Sequence, residues 1–177
     1  MNTSLVLTLI GPNTTGIVYR IAHTAALHEA NWLGARMANL AGQFAGIVHL
    51  DVPDEKVEAL GAALHELEAS GMRLLITRGS ARTEQSANGL LRLDLIGQDH
   101  PGIVRDVARV LALHTTSIEN LVTERVESAF AGEELFRATA QLRVLGNVGV
   151  PELRESLESL AHELMVDLTL DSGMSTR

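Results

Sequence analysis

The stretch LVLTLIGPNTTGIVYRIAHTAALH, residues 5–28, recurs as LRLDLIGQDHPGIVRDVARVLALH, residues 91–114, at a constant offset of 86 positions. Twelve of the 24 aligned positions are identical, including Gly16 with Gly102 and the Ile-Val pair that follows each glycine. Two ungapped segments with this identity in one chain indicate an internal duplication. The sequence therefore predicts one structural module that is used twice.

Each copy opens with a strand and continues into a helix. Leu5, Leu7 and Leu9 recur at every second position, which is the period of a strand with one buried face. After a turn bounded by glycines, Ile17 and Ile21 lie one helical turn apart on a single apolar face. The second copy repeats both patterns 86 positions later.

The rest of each copy adds two strands, a second helix and a last strand. The first copy predicts strands over 32–41, 43–52 and 72–77 with a helix over 55–69, and the second predicts strands over 118–126, 135–145 and 166–170 with a helix over 151–164. The order βαββαβ predicts an α+β fold of two tandem ferredoxin-like modules, each with an antiparallel four-stranded sheet and both helices on one face. The opposite face of each sheet is then free for a partner, another sheet or water.

Composition places the boundary between the copies. The stretch GSARTEQSAN at 79–88 is rich in turn residues, and it predicts a first domain over 1–80, a linker over 81–88 and a second domain over 89–177. A longer connection, ESAFAGEE at 127–134, joins the middle strands of the second copy. It is interpreted as either a flexible connection or a lid that contacts a partner.

Bulk composition excludes several classes of protein. The 177-residue chain has a formal net charge of −8 and 3% aromatic residues, which argues against direct binding to nucleic acid. It has no cysteine, so disulfides and thiolate chemistry are excluded. Because no apolar run reaches the roughly 20 residues that span a bilayer, we expect a cytoplasmic protein that does not bind membranes.

No motif predicts catalysis, a metal or a cofactor. His65-Glu66 and His162-Glu163 lack the second histidine four residues on that a zinc-protease helix needs. His28 and His114 end equivalent helices, which favours a structural role at the helix C-terminus. A small hydrolase on this fold remains an alternative, but an acylphosphatase-like enzyme would need an arginine in the first turn, and neither GPNTTG nor GQDHPG contains one.

The turn after the first strand is the candidate site in each copy. A helix N-terminus has unpaired amides and a partial positive charge, so it favours a carboxylate. We expect Pro101 in the first helical turn and Asn13 or Asp99 in the N-cap region. Because Asn13 is neutral and Asp99 would cap its helix with its own charge, the first turn is predicted to be the better carboxylate site. A plain helix cap is the alternative.

The signature LIGQDHPGIVRDVARVLALH resembles the ACT domain, a small-molecule-binding module of amino-acid metabolism. The tandem copies, with ARMANLAGQFAGIVHL in the first and IENLVTERV in the second, are similar to the glycine cleavage system transcriptional repressor group. This resemblance implies an amino acid such as glycine or serine bound at the interface of the two domains. It also implies a DNA-binding regulator protein as partner, because the acidic chain would not bind DNA itself. Independently of the resemblance, the free edges of such sheets predict self-association as a homo-oligomer.

The resemblance also implies which residues bind the ligand. Asn31, at the end of the first helix region, matches a position where ligand-binding members often have Asn, and the second copy has Ser117 there. The chain departs from the family in having Thr15 where Pro is usual, and Gly11 and Gly97 where some members have His. The predicted ligand-binding residues are Asn13, Thr14, Thr15, Gly16, Asn31, Asp99, His100 and Gly102.

The function predicted from these observations is non-catalytic regulation: binding of a small amino acid shifts the association of the protein with a partner, in transcriptional control of amino-acid metabolism. The main alternative is a structural protein–protein interaction module without a ligand.

Overall fold

A computed structural model describes residues 1–79, 90–127, 134–145 and 149–172 of the chain. The chain divides into two compact units, Met1–Arg82 and Thr83–Arg177, which are called the first and second module below. The predicted linker 81–88 and the centre of the predicted connection 127–134 lie outside the described residues. The boundaries of the predicted domains therefore stay predictions.

The first module has the order βαββαβ. Its elements are β1 (Asn2–Pro12), α1 (Ile17–Leu27), β2 (Asn31–Leu40), β3 (Gln43–Pro53), α2 (Val57–His65) and β4 (Arg73–Arg78). The sheet is antiparallel with strand order β2-β3-β1-β4, so β1 lies in the interior and pairs with both β3 and β4.

The second module repeats this arrangement. Its elements are β5 (Leu90–Gln98), α3 (Ile103–Leu113), β6 (Thr116–Glu127), β7 (Glu134–Val144), α4 (Val150–Leu164) and β8 (Val166–Ser172). The strand order is β6-β7-β5-β8, again antiparallel. The predicted fold class, two ferredoxin-like modules in tandem, is confirmed.

Each module has its own hydrophobic core between the sheet and its two helices. The predicted alternation of β1 is confirmed, because Leu5, Leu7 and Leu9 are all buried. The equivalent leucines of β5 are buried in the same way. The predicted helix faces are confirmed as well, and His28 and His114 are the C-cap residues of α1 and α3.

The predicted helix over 55–69 is wrong in its length. α2 is a nine-residue α-helix, and the segments on either side, Asp54–Lys56 and Glu66–Ser70, are 3₁₀ turns. At the C-terminal end, the Ser70 hydroxyl donates to the Leu67 carbonyl 2.6 Å away, and Gly71 follows with φ +86°. This bond tightens the last turn, as is common where a helix ends.

Candidate functional site

The first turn, residues 12–16, connects β1 to α1 and is held by its backbone. The Asn13 N–H donates to the Gly42 carbonyl in the β2–β3 hairpin at 3.2 Å, and the Thr14 hydroxyl donates to the Pro12 carbonyl at 3.2 Å. Gly16 has φ +84°, a conformation that favours glycine. Asn13, Thr14 and Thr15 are all exposed, so the turn presents its polar side chains to solvent.

Asn13 does not cap the helix, which corrects one expectation. The N-cap of α1 is Gly16, and no side chain caps this helix. The Ile17 N–H donates to the Thr14 carbonyl at 3.3 Å. Within the described part of the chain, no backbone partner is recorded for the amides of Val18 and Tyr19. These N–H groups can therefore donate hydrogen bonds to an acceptor on a bound ligand, which the partial positive charge of the helix N-terminus also favours.

The second turn is held by a comparable backbone bond, but its acidic side chain is differently engaged. The Asp99 N–H donates to the Glu134 carbonyl at 3.4 Å, and the Asp99 carboxylate lies 2.5 Å from Nη2 of Arg125 on β6. Asp99 therefore does not cap α3 as expected, because it pairs with Arg125 instead. Pro101 is likewise not in the first helical turn, since the N-cap is Gly102 and the helix begins at Ile103.

The two turns differ in charge at equivalent positions. The offset of 86 places Asn13 at the position of Asp99 and Asn39 at the position of Arg125. Arg125 also lies 3.2 Å from the Glu134 carboxylate. The second turn therefore forms ion pairs through Asp99 and Arg125. The first turn has the neutral amides of Asn13 and Asn39 at the equivalent positions.

The start of α3 is also more crowded than the start of α1. A Cβ atom built at Gly102 would come within 3.1 Å of an Arg105 guanidinium nitrogen, whereas one at Gly16 meets nothing within 4 Å. Hydrogen bonds from the Arg105 guanidinium hold the pKa of the Asp106 carboxyl below its usual range. His100 is half-buried, and its Nδ1 lies 3.3 Å from the Pro101 carbonyl oxygen. A methyl-sized group at the N-cap therefore meets the Arg105 side chain at the second turn and no neighbouring atom at the first.

The structure does not bring Asn31 to the first turn of its own module. Asn31 begins β2 and pairs with Asp51, which pairs in turn with Ser4 near the start of β1. Pro12, at the other end of β1, is eight residues from Ser4, which is roughly 26 Å along a strand. Asn31 and Asn13 therefore cannot contact one small ligand within a single module.

The glycines that depart from the family pattern have a packing reason. A Cβ atom at Gly11 would lie 2.9 Å from Cα of Met72, and one at Gly97 would lie 3.0 Å from Cα of Val166. The chain entering the last strand lies directly against these positions, with Met72 immediately before β4 and Val166 at the start of β8. A histidine there would displace that strand, so neither site has an imidazole at the start of its turn.

Sequence reasoning did not identify Arg125, Arg105 or Asn39 as residues of the site. The duplication could have indicated two of them, because Asn39 in ARMANL and Arg125 in IENLVTERV are equivalent positions of the two copies and differ in charge. Arg105 differs from Tyr19, its counterpart, and nothing in the duplication marks it.

Within residues 1–79, 90–127, 134–145 and 149–172, no three His, Asp or Glu side chains are arranged to hold a metal ion. In the same ranges, no helix combines the length and the apolar character that crossing a membrane requires.

Comparison with known proteins places these features in context. The family model of the ACT domain matches residues 3–76. A UPF0237 protein of Methanopyrus kandleri is 35% identical over 74 residues, which make up 42% of this chain and 77% of that protein.

Two solved structures match both modules together. An unknown protein from Galdieria sulphuraria is 28% identical with a TM-score of 0.85, and the match covers 98% of this chain and 100% of that one. A protein proposed to be a glycine cleavage system transcriptional repressor is 17% identical with a TM-score of 0.69, and the match covers 97% of both chains. At that identity, the second match shows a common fold alone.

Proposed function

Because this chain belongs to the ACT domain family, we propose that it is a non-catalytic regulatory protein that binds a small amino acid and thereby modulates a partner protein. ACT domains are typically regulatory modules that bind ligands. The control of amino-acid metabolism is the setting that we propose for this one.

The observation that carries the proposal is the open first turn. Its residues are exposed, Gly16 has free space above it, and the amides of Val18 and Tyr19 have no recorded partner in the described backbone. A carboxylate is favoured at such a helix N-terminus. The hydroxyl and amide groups of Asn13, Thr14 and Thr15 supply hydrogen-bonding groups for the rest of a small polar ligand.

Glycine and serine are the ligands we propose for this turn. The side chains of the turn are polar and exposed, so a large apolar side chain would gain little by burial against them. The resemblance of the tandem copies to the glycine cleavage system transcriptional repressor group favours the same choice. At the second turn, Asp99, His100 and Gly102 stay candidate ligand residues, and the pairing of Asp99 with Arg125 makes that turn the weaker carboxylate site.

A protein partner is supported by the first module's open sheet face, which is the side away from the helices. Ile10, Ile47 and Leu75 are 49%, 52% and 60% exposed, and the strand pairing places them in neighbouring rows. Exposed apolar side chains grouped in this way are typical of interaction surfaces. With a net charge of −8, the chain would act on DNA through a DNA-binding partner.

A thermal-shift and calorimetric titration with glycine, serine and the other common amino acids tests the proposal. A ligand at about 100 times its dissociation constant stabilises the folded state by about 2.7 kcal/mol, which raises the melting temperature by several degrees. Asn13→Ala and Thr14→Ala should weaken the response. Thr8→Ala, an exposed change on the open sheet face, serves as the control and should leave the response intact.

A flat response to every amino acid at saturating concentration would contradict the proposal. The interaction module without a ligand would then be the function that remains. Glycine or serine binding that is insensitive to Asn13→Ala and Thr14→Ala would keep the sensor but remove its site from the first turn.

A further inference from the structure

The open faces of the two sheets, which are the sides away from the helices, differ in polarity at equivalent positions. One row of paired residues across three strands shows the difference. In the first module, the row is Ile47, Thr8 and Leu75. In the second module, the equivalent row is Thr139, Asp94 and Thr169. The row is therefore mainly apolar in the first copy and polar in the second.

The next row of the open face has opposite charges in the two copies. The offset of 86 makes Ile10 on β1 equivalent to Ile96 on β5. On the last strand of each module, Ile10 pairs with Arg73, whereas Ile96 pairs with Asp167. Both charged side chains are exposed. The first face therefore presents a cation at the place where the second face presents an anion.

The arginines of the first face have no acidic partner among the described residues. Arg36 on β2 pairs with Ile47, and its guanidinium donates to the adjacent Ala35 carbonyl at 3.1 Å. Within the described part of the chain, neither Arg36 nor Arg73 forms an ion pair. Both guanidinium groups can therefore bind a carboxylate that another molecule supplies.

The second face has a shallow hollow of about 170 Å³, which has room for several water-sized groups. Its lining residues are Asp94, Leu95, Ile96, Arg137, Asp167 and Thr169. Arg137 pairs with Glu124 on β6, on the side away from β8. Asp167, on β8, forms no ion pair within the described residues. An arginine in the hollow can therefore lay its aliphatic stem on Ile96 and bring its guanidinium to Asp167.

These charges favour one combination of faces. Two first faces brought together would place Arg36 and Arg73 of both copies in one contact. Two second faces would bring together two unpaired Asp167 carboxylates. A first face against a second face brings opposite charges together, and complementary charges favour association where like charges oppose it. The mixed combination also covers the exposed apolar side chains of the first face, Ile10, Ile47 and Leu75.

We propose that the open face of the first module docks onto the open face of the second module of another copy of this chain. Arg73 of one copy then lies in the hollow of the other, with its guanidinium at Asp167 and its stem against Ile96. The inference rests on the proposed function only in that a protein covers the first face, and it is independent of amino-acid binding. A DNA-binding regulator then binds the assembled chains at another surface.

The size of the contact predicts weak association. Four strands about 4.8 Å apart, over the six residues of β4, make a face of about 19 by 20 Å, so two opposed faces bury roughly 800 Å² in total. Stable complexes bury about 1,200–2,000 Å². We therefore expect reversible self-association in the micromolar range, which weakens as salt screens the charges.

Charge reversals in the full chain test this contact. Sedimentation velocity over roughly 10–500 μM protein, a range suited to a weak interface, measures the association of wild type, Arg73→Glu and Asp167→Arg. Each reversal opposes like charges, so each variant alone should associate at least about tenfold more weakly. An equimolar mixture of the two variants should regain the wild-type association, because the glutamate introduced into one faces the arginine introduced into the other.

The matched control is Arg154→Glu, the same reversal at an exposed position of α4, which should leave the association unchanged. Circular dichroism checks that each variant folds. A rise from about 50 to about 500 mM NaCl should weaken the association of wild type, and this measurement needs no variant.

The outcomes separate this contact from its alternatives. A wild-type chain that stays monomeric at all these concentrations overturns the contact. Association that neither reversal weakens also overturns it and indicates another surface, such as the free sheet edges. Weakening that the mixture does not restore overturns it as well, because charge pairing between two copies requires that restoration. The thermal-shift response to amino acids decides the proposed function separately, so a monomer that responds to glycine or serine overturns the contact alone.

Discussion

Asp99 Oδ2 lies 2.5 Å from Arg125 Nη2, and the equivalent residues of the first module are Asn13 and Asn39, so this ion pair exists in only one of the two copies. The pair ties the turn after β5 to the edge strand β6. In the first module, no charge fixes the turn to the equivalent strand. The duplication has thus kept the fold while the two turns acquired different electrostatics.

Removal of this ion pair should destabilise the second module modestly. The Asp99 side chain is 20% exposed and Arg125 is 65% exposed, so we expect Asp99→Asn or Arg125→Gln to lower the free energy of unfolding by about 0.5–1 kcal/mol. Urea denaturation of the two single variants and the double variant measures the coupling. The more exposed pair of Arg137 with Glu124 is the control, and Arg137→Gln should have a smaller effect. Additive single effects in the cycle would show that the pair contributes no coupling energy.

The glycines near the ends of β1 and β5, Gly11 and Gly97, should not tolerate a side chain. At Gly11 a Cβ atom would approach Met72, and at Gly97 it would approach Val166, in each case within about 3 Å of backbone. We expect Gly11→Ala and Gly97→Ala to destabilise the fold by about 1–3 kcal/mol through overpacking. Gly34→Ala is the control, because a Cβ atom there meets nothing within 4 Å. Thermal unfolding of the three variants compares them, and equal melting temperatures would contradict the packing argument.

The fold could be predicted from the sequence because the apolar periodicities of its strands and helices are local patterns and occur in both copies. Alternating leucines in β1 and β5, and apolar residues at helical spacing in α1 and α3, depend only on which face is buried. The length of α2 was not predictable in the same way. Its end depends on the Ser70 hydroxyl and on Glu68, which accepts from the Leu74 N–H, and those contacts need the folded chain.

The site was less predictable because side-chain partners come from distant strands. The sequence pointed to both turns, but it assigned Asp99 to the helix end next to it in the chain. The structure instead pairs Asp99 with Arg125, 26 residues away, because β6 passes beside the turn.

We expect the loss of stability on truncating an apolar side chain to depend on how deeply that side chain is buried. Leu60, on α2, is fully buried, and Leu75, on the open face of β4, is 60% exposed. We expect Leu60→Ala to cost about 2–5 kcal/mol and Leu75→Ala less than about 0.5 kcal/mol. Urea denaturation measures both. If a partner covers the open face, Leu75→Ala should weaken that association while leaving stability unchanged, and a large loss of stability from Leu75→Ala would contradict its placement at the surface.

Asp94 should make the second module sensitive to acid. Its carboxylate accepts bonds from Arg92 at 2.6 and 3.0 Å and from the Thr139 hydroxyl at 2.8 Å, and the bonds from Arg92 are the main reason why the pKa of Asp94 lies below its ordinary 3.8. Because the folded pKa is below the unfolded one, the stabilisation is fully present above pH 3.8 and is lost as the pH falls through the folded value. The side chain is 37% exposed, so solvent screening limits the effect to about 0.5–1 kcal/mol.

Urea denaturation measures the free energy of unfolding of wild type and Asp94→Asn, and the two values should differ at pH 7 and converge below pH 3.8. The control is Asp167→Asn, which changes an exposed carboxylate on the same face and should leave the free energy of unfolding at neutral pH equal to that of wild type. A difference for Asp94→Asn that persisted undiminished at pH 3 would show that hydrogen-bond geometry, and not the carboxylate's charge, stabilises this corner of the sheet.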